Sequence, residues 1–231
     1  MNPQIQNLIV KYQSFIFDCD GVILDSNKIK SEAFAQLAQP YGKSAVEALT
    51  TFHVQNGGIS RFEKVRFLVD NVLGQPEDVA LVQQLVLQYG LIVREQLLDC
   101  AMCDGVVEFL EAVASAGKDM HVVSGGLESE LRDVFKARSL DKYFSSICGS
   151  PRTKGEIMQD LKGRAKLPLP ALFFGDSRAD FEAAFGAGCD FIFLYGCTEM
   201  PGWQQFVREA AITSRESFVH IMNEVERGGG A

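Results

Sequence analysis

The sequence predicts an α/β fold: a three-layer sandwich built on a parallel, Rossmann-like sheet, with a helical segment inserted after the first strand. Two observations lead to this prediction. From residue 106 onward, short apolar runs typical of buried strands alternate with helical periodicity, an order that implies right-handed crossovers between parallel strands. In the inserted segment, helical periodicity dominates instead. We therefore expect a core domain formed by residues 1–26 and 102–231, and a helical domain formed by residues 27–101.

The individual elements follow from local patterns. After a short lead-in, Phe15, Ile16 and Phe17 form the apolar run of the first strand, over residues 14–18. Apolar residues at helical spacing mark the helices, and short apolar runs mark the strands. Helices are predicted over 29–41, 65–72, 79–89, 106–113, 128–139, 154–166, 179–187 and 217–225, strands over 120–124, 144–149, 171–176, 191–195 and 210–213, a surface loop at 200–203 and a flexible tail at 228–231.

Composition and charge argue against several classes of protein, among them nucleic-acid-binding and membrane-spanning proteins. The chain has 231 residues and a net charge of −8, and nothing in it supplies a basic stripe for nucleic-acid phosphates. It has no basic and apolar leader, and its apolar runs are far shorter than the roughly 20 residues that span a bilayer. Cys100 and Cys103 have a spacing seen in zinc and redox sites, but without a second such pair free thiols are expected. A cytoplasmic protein fits best.

An acidic pair at the end of the first strand points to a site. Asp18 and Asp20 stand two residues apart at the mouth of a buried strand, where their charges repel and are costly to desolvate. A cation between them, or a shared proton, would explain the pair. A calcium loop that starts at Asp18 would need an acidic residue where the chain has Ile29.

Further polar residues follow later strands, and the carboxyl ends of parallel strands are where sites collect in such sheets. Ser124 and Gly125 follow the second core strand, where a hydroxyl and backbone amides can bind phosphoryl oxygens, although the same residues also suit the turn before a helix. Lys154 begins a helix, an unfavourable place for a cation unless an anion lies nearby. Arg152 competes with it for that role.

A second acidic group follows the strand over 171–176. Asp176 comes directly after Gly175 at the strand end, and Asp180 lies four residues further on, so both can face the cavity of Asp18 and Asp20. Asp180 alone would also suit an ordinary helix start. Carboxylates around one hard cation suit Mg²⁺.

The four motifs in chain order are Asp18 with Asp20, Ser124 with Gly125, Lys154, and Asp176 with Asp180. Together they resemble the signatures of the haloacid dehalogenase superfamily, in its phosphatase branch, which carries Asp-x-Asp-Gly-x-x-x-Asp-Ser after the first strand. The resemblance implies that Asp18 attacks phosphorus and that Asp20, kept protonated by its neighbours, is the general acid and base. Ser124 would hold phosphoryl oxygens and Lys154 would offset charge. The implied Mg²⁺ ligands are the side chains of Asp18 and Asp176 and the backbone carbonyl of Asp20, and the implied supports are Asp180, Gly125 and Gly175.

The helical segment resembles the family's inserted cap, which closes over the site and sets specificity. Arg61, Asn56 and His53 in a polar loop and helix start, and Lys64 after them, are candidates to contact the leaving group. For Arg61 and Lys64 a solvated helix face is the alternative.

The expected activity is magnesium-dependent hydrolysis of a small phosphate monoester, a sugar phosphate or a phosphoglycolate-like acid, through an aspartyl-phosphate. Two alternatives remain: a phosphomutase of the β-phosphoglucomutase type, which shares the core residues and the cap, and a receiver-like domain that only accepts phosphate. The expected partner is a small phosphorylated metabolite, with no nucleic acid and no membrane, and the chain is expected to be a monomer or homodimer.

Overall fold

A computed structural model of the chain describes residues 3–76 and 78–223. Within these ranges the helices are α1 (Pro3–Lys11), α2 (Asn27–Ala38), α3 (Lys43–Gln55), α4 (Arg61–Phe67), α5 (Val79–Asp99), α6 (Val106–Ser115), α7 (Glu128–Ala137), α8 (Lys154–Gly163), α9 (Arg178–Ala187), α10 (Trp203–Glu209) and α11 (Phe218–Asn223). The strands are β1 (Ser14–Phe17), β2 (Asp119–Leu127), β3 (Ser146–Ser150), β4 (Ala171–Gly175), β5 (Asp190–Leu194) and β6 (Thr213–Arg215).

The strands form one six-stranded parallel sheet in the order β3-β2-β1-β4-β5-β6. Strand β1 lies near the middle, and its residues alternate between two apolar layers: Phe15 and Phe17 pack with α1, α6, α7 and α11, whereas Ile16 packs with α8 and α9. Helices on both faces of a parallel sheet give three layers. The predicted fold class is therefore confirmed.

The inserted segment is a bundle of α2, α3, α4 and α5, and a π-helical turn at Leu68–Val72 extends α4. Its centre is aromatic: the rings of Phe34 and Tyr89 stack at 4.1 Å. The chain enters and leaves the bundle side by side, because the backbone N–H of Asp25 donates to the carbonyl of Ala101 at 3.0 Å. This hydrogen bond lies beside the predicted domain boundaries at residues 26/27 and 101/102, and those boundaries stay a prediction.

Local predictions differ from the structure in four places. The lead-in is a nine-residue helix, α1. Helix α3 was not predicted, because the buried face of α3, formed by Ala45, Leu49 and His53, ends in a polar residue. Residues 200–202 are a loop as expected, but α10, which begins at Trp203, was not predicted; Trp203 stacks on Tyr195 at 4.6 Å. Strand β6 lies at 213–215 rather than 210–213. The predicted helix end at 224–225 and the tail at 228–231 lie outside the described residues.

The sheet brings together the carboxyl ends of β1, β2, β3 and β4 beneath the helical bundle. Among residues 3–76 and 78–223, no helix is both long enough and apolar enough to cross a membrane.

Candidate active site

Three buried carboxylates meet at this end of the sheet. Asp18 follows β1, Asp176 follows the neighbouring β4, and Asp180 lies in the first turn of α9. One oxygen from each side chain lies within 4.8 Å of the others. The pairing of β1 with β4 fixes this arrangement, because the backbone N–H of Asp18 also donates to the carbonyl of Phe174 at 3.0 Å. The structure thus brings these three predicted residues together.

Lys154 is the ammonium at the centre of this acidic group. It opens α8 behind Thr153, whose side chain caps the helix, and its Nζ lies 2.9 Å from Asp18 Oδ1 and 2.5 Å from Asp180 Oδ1. Burial alone would lower the pKa of Lys154, but the two carboxylates outweigh burial and raise it well above its ordinary value. Arg152, the competing candidate, pairs instead with Glu128 and Asp160.

The acidic group carries more negative charge than Lys154 compensates. Burial and the charge of Asp180 raise the pKa of Asp18 to about 7, against the opposing effect of Lys154. Burial and the charge of Asp18 also raise the pKa of Asp176 well above its usual range. Buried carboxylates held this close are stabilised by a cation between them. Hard oxygen donors with uncompensated charge fit Mg²⁺.

Asp180 differs from the other two acids because its oxygens are already engaged. Oδ1 accepts from Lys154, and Oδ2 accepts from the backbone N–H and the hydroxyl of Ser177 at 3.1 and 2.5 Å. Gly175 allows this close packing, since a Cβ there would lie 2.3 Å from the Cβ of Asp180. Asp180 and Gly175 thus pack together beside the acidic group, and their supporting role stays a prediction.

Asp20 lies at the edge of the group, in a tight turn. Its side chain accepts from the hydroxyl of Ser26 at 2.6 Å and forms a short ion pair with Lys30 of α2. Burial favours the protonated acid, but the Lys30 ammonium, with hydrogen bonds from Lys30 and Ser26, outweighs burial and lowers the pKa of Asp20 below its ordinary value. This surrounding favours the carboxylate form of Asp20, against the expectation that its neighbours keep it protonated, and its protonation state during catalysis stays a prediction.

Lys30 was missed from the sequence. The sequence does carry a signal for Lys30. It stands three residues before Ala33 and four before Phe34, so helical spacing places it on the buried face of α2. Gly21 adopts φ +76°, and a Cβ there would lie 2.3 Å from Asp176 Oδ2, so the turn requires glycine.

Ser124 and Gly125 lie near the carboxyl end of β2. The Ser124 hydroxyl is buried and accepts from the backbone N–H of Gly126 at 3.0 Å. Gly125 faces the helical bundle, because a Cβ there would lie 2.5 Å from the carbonyl oxygen of Gly58. A Cβ on Gly58 would in turn lie 2.4 Å from Ser177 Oγ. The loop that carries Gly58 therefore rests directly on the core.

The candidate specificity residues of the bundle have different surroundings. Arg61 is buried, and its guanidinium donates to both carboxylate oxygens of Glu130 at 3.0 and 2.5 Å. His53 is buried with Nδ1 2.8 Å from Lys64 Nζ. Asn56 donates to the carbonyl of Phe52 at 2.8 Å at the end of α3 and does not line the cavity. The amide of Asn56 is thus engaged at the end of its own helix, and its contact with substrate stays a prediction.

A partly open cavity of about 60 Å³ lies between core and bundle. Acidic residues of the core line one side and cationic residues of the bundle line the other: Asp18, Asp20 and Asp176 on the core, and Lys30, Arg61 and Lys64 on the bundle. The cavity therefore places carboxylates and cations on facing walls.

The haloacid dehalogenase-like hydrolase family model matches residues 15–194. The chain belongs to this family. The family and the hydrolase class predicted from the motifs are confirmed, and the matched range includes β1, the helical cap and the four strand ends that build the site.

Two curated relatives and one solved structure are similar to this haloacid dehalogenase-like hydrolase. A phosphorylated carbohydrates phosphatase of Thermotoga maritima is 26% identical over 222 residues, 92% of this chain and 99% of its own. A phosphoglycolate phosphatase of Thiobacillus denitrificans is 27% identical over 184 residues, 77% of this chain and 80% of its own. A predicted phosphoglycolate phosphatase from Haemophilus somnus has a TM-score of 0.71 and 20% identity over 92% of this chain and 97% of that structure.

Cys100 and Cys103 of this hydrolase lie outside the acidic group. Cys103 Sγ is 3.6 Å from Cys197 Sγ, and Cys100 accepts from Arg138 at 3.2 Å. In the part of the chain that the structure describes, neither Cys100 nor Cys103 belongs to a cluster able to hold a metal, and both are free thiols.

Proposed function

We propose that this protein is a magnesium-dependent phosphatase that hydrolyses a small phosphate monoester through an aspartyl-phosphate intermediate. The observation that carries the proposal is the buried group of Asp18, Asp176 and Asp180 around the single ammonium of Lys154. A nucleophilic carboxylate can approach a phosphate dianion only where positive charge offsets their repulsion.

The side chains of Asp18 and Asp176 and the backbone carbonyl of Asp20 are the proposed ligands of Mg²⁺. When bound, the ion supplies positive charge that draws phosphoryl oxygens toward the carboxylates. Asp180 is left to hold Lys154, because Ser177 and Lys154 already occupy its oxygens.

In the first step, an oxygen of Asp18 attacks phosphorus and the bond from phosphorus to the leaving-group oxygen breaks, giving an aspartyl-phosphate and an alcohol. In the second step, water attacks phosphorus and its proton passes to Asp20, releasing inorganic phosphate and the free Asp18 carboxylate. Lys154 offsets charge throughout, and Ser124 with backbone amides after β2 binds the equatorial oxygens.

The ion pair with Lys30 suits Asp20 to the second step. As a carboxylate it is ready to accept the proton of the attacking water. To protonate the leaving oxygen in the first step, Asp20 must acquire a proton, which requires its ion pair with Lys30 to loosen when the ester binds.

The two curated relatives support a small phosphorylated metabolite as substrate, since both are named as phosphatases, one of phosphorylated carbohydrates and one of phosphoglycolate. They favour hydrolysis over the mutase alternative. The receiver-like alternative is rejected by the family match, which includes the inserted cap. A cytoplasmic location, a monomeric or homodimeric state and the absence of a nucleic-acid partner stay predictions, the last favoured by the net charge of −8.

A screen of phosphorylated metabolites with and without Mg²⁺ tests the proposal. We expect release of inorganic phosphate that requires Mg²⁺, at least a 1,000-fold loss in Asp18→Asn, and wild-type turnover in the exposed control Asp141→Asn. Full turnover by Asp18→Asn would reject Asp18 as the nucleophile. Interconversion of isomers without net phosphate release would favour the mutase.

A further inference from the structure

Lys64 is a buried cation without an acidic partner. Its side chain on α4 is 4% exposed, and its Nζ lies 2.8 Å from His53 Nδ1 and 5.6 Å from the centre of the Phe34 ring. Within the described ranges no carboxylate lies at ion-pair distance from it. A buried ammonium in contact with only an imidazole and aromatic rings is costly to keep charged.

The other buried cations around the cavity are each neutralised. Lys154 pairs with Asp18 and Asp180, Lys30 pairs with Asp20, and Arg61 pairs with Glu130. The Arg61 guanidinium also lies over the Tyr89 ring at 4.9 Å, so both its N–H groups and its flat face already contact the protein. Arg61, a candidate from the sequence for binding the leaving group, therefore already has a counter-charge in the protein.

The pKa values of Lys64 and His53 reflect the cost of burying positive charge at this place, a cost that a bound anion would lower. Burial, and then the charge of Lys30, lower the pKa of Lys64 to about 7. Burial, and then the charge of Lys64, lower the pKa of His53 to about 2, so His53 is neutral. With Nδ1 accepting from Lys64, its Nε2 carries the hydrogen and is a second donor.

We propose that Lys64, with His53 and with Lys30 once its ion pair with Asp20 loosens, forms a subsite for a second anionic group on the substrate, a carboxylate or a second phosphate carried by the leaving group. This rests on the proposed function, because the first anion is the phosphoryl group at Asp18. All three residues line the same cavity as Asp18 and Asp176, from the opposite side. A doubly anionic ester would thus span the cavity, with its reacting phosphate on the core and its second charge on the cap.

The small cavity limits the spacing of the two anions. At about 60 Å³, the volume suits a short ester rather than a long-chain one. The second anion also balances charge in the cavity, since Lys64 is a buried cation without a carboxylate partner among the described residues. Closing the cap over a singly anionic ester leaves that charge uncompensated.

Steady-state kinetics on three esters tests this subsite. The probes are 2-phosphoglycolate, with a carboxylate, fructose 1,6-bisphosphate, with a second phosphate, and glycerol 3-phosphate, with an uncharged leaving group. In Lys64→Met we expect KM to rise about 10- to 100-fold for whichever doubly anionic ester the wild type prefers, with glycerol 3-phosphate changed less than about 3-fold. Lys43→Met, on the exposed side of the same cap, is the matched control.

The two doubly anionic probes distinguish a carboxylate from a phosphate subsite. Equal KM changes on all three esters in Lys64→Met would overturn the proposal, because a purely structural role would affect every substrate alike. A wild type that shows no preference for either doubly anionic ester over glycerol 3-phosphate would also overturn it.

A binding measurement separates this inference from the proposed function. Calorimetry on Asp18→Asn with 2-phosphoglycolate and with fructose 1,6-bisphosphate requires no turnover. We expect one of them to bind at least 10-fold more weakly to the double variant Asp18→Asn/Lys64→Met. Unchanged affinity for both would reject the subsite even where hydrolysis is established, and a Lys64-dependent affinity with no hydrolysis by the wild type would reject only the proposed function.

Discussion

The guanidinium of Arg61 in the cap and the carboxylate of Glu130 in the core form a two-point ion pair, with donor to acceptor distances of 3.0 and 2.5 Å. Glu130 belongs to α7, directly after β2, so the pair joins α4 of the cap to the strand end that carries Ser124. Gly90 leaves room for it, because a Cβ there would lie 2.6 Å from Glu130 Oε1. This ion pair, here called the latch, therefore joins the cap to the core.

Breaking the latch should weaken cap closure. In Glu130→Gln the Arg61 charge, 4% exposed, loses its counter-charge, and we expect the free energy of unfolding to fall by about 1 to 3 kcal/mol. We also expect kcat/KM to fall about 10-fold, because the closed state is less populated. Urea denaturation and steady-state kinetics measure the two effects.

The control for the latch is Glu95→Gln, an exposed acid on α5. A double-mutant cycle with Arg61→Met tests whether the two residues act as a pair, since the second substitution should then cost little after the first. Additive losses would show that Arg61 and Glu130 act independently.

Gly125 is the point where the cap loop lies closest to the core. Gly125→Ala places a Cβ 2.5 Å from the Gly58 carbonyl oxygen, so the loop must move away. We expect kcat/KM to fall at least 10-fold for every substrate, with the unfolding free energy changed by less than about 1 kcal/mol. Gly186→Ala, in a helix with open space around it, is the control and should keep full activity. Full activity in Gly125→Ala would mean that the closed contact is not required.

Much of this fold could be predicted because its signals are local. Buried parallel strands such as that of Phe15, Ile16 and Phe17 are continuous apolar runs, and a parallel sheet places every strand end on one side. The positions of Asp18, Lys154 and Asp176 follow from these two facts alone. Helix α3 lacks so clear a signal, because His53 takes an apolar place in its buried stripe.

The pairing of side chains could not be predicted in the same way. Arg61 and Glu130 are 69 residues apart in the chain, and Lys30 meets Asp20 only because α2 presents its buried face to the turn after β1. Periodicity shows which face of a helix is buried and not which residue it meets. The ion pair between Lys30 and Asp20 could therefore not be predicted from the sequence.

The buried Lys64 should make stability depend on pH. Its pKa falls from 10.5 in the unfolded chain to about 7 in the fold, so between these values the unfolded state binds more protons and stability rises with pH. From pH 7 to pH 9 we expect the unfolding free energy of the wild type to gain about 2 kcal/mol relative to Lys64→Met, which is the more stable of the two at pH 7. Urea denaturation of both proteins without ligand measures this, with Lys43→Met as control. A constant difference between the proteins across that range would contradict the prediction.

Metal binding should reverse the effect of removing Asp176. Without Mg²⁺, Asp176→Asn relieves repulsion with Asp18 and Asp180 and keeps an acceptor for the Asn27 amide, so we expect its thermal midpoint to equal or exceed that of the wild type. With Mg²⁺ at about 100 times its dissociation constant, the wild type should gain about 2.7 kcal/mol, a rise of roughly 5 to 10 °C for a chain of this size. Asp176→Asn should gain little, because it has lost a charged ligand of a hard cation, and Asp141→Asn should respond as the wild type does. Scanning calorimetry with and without Mg²⁺ measures both midpoints, and an equal rise in Asp176→Asn and the wild type would place the ion elsewhere.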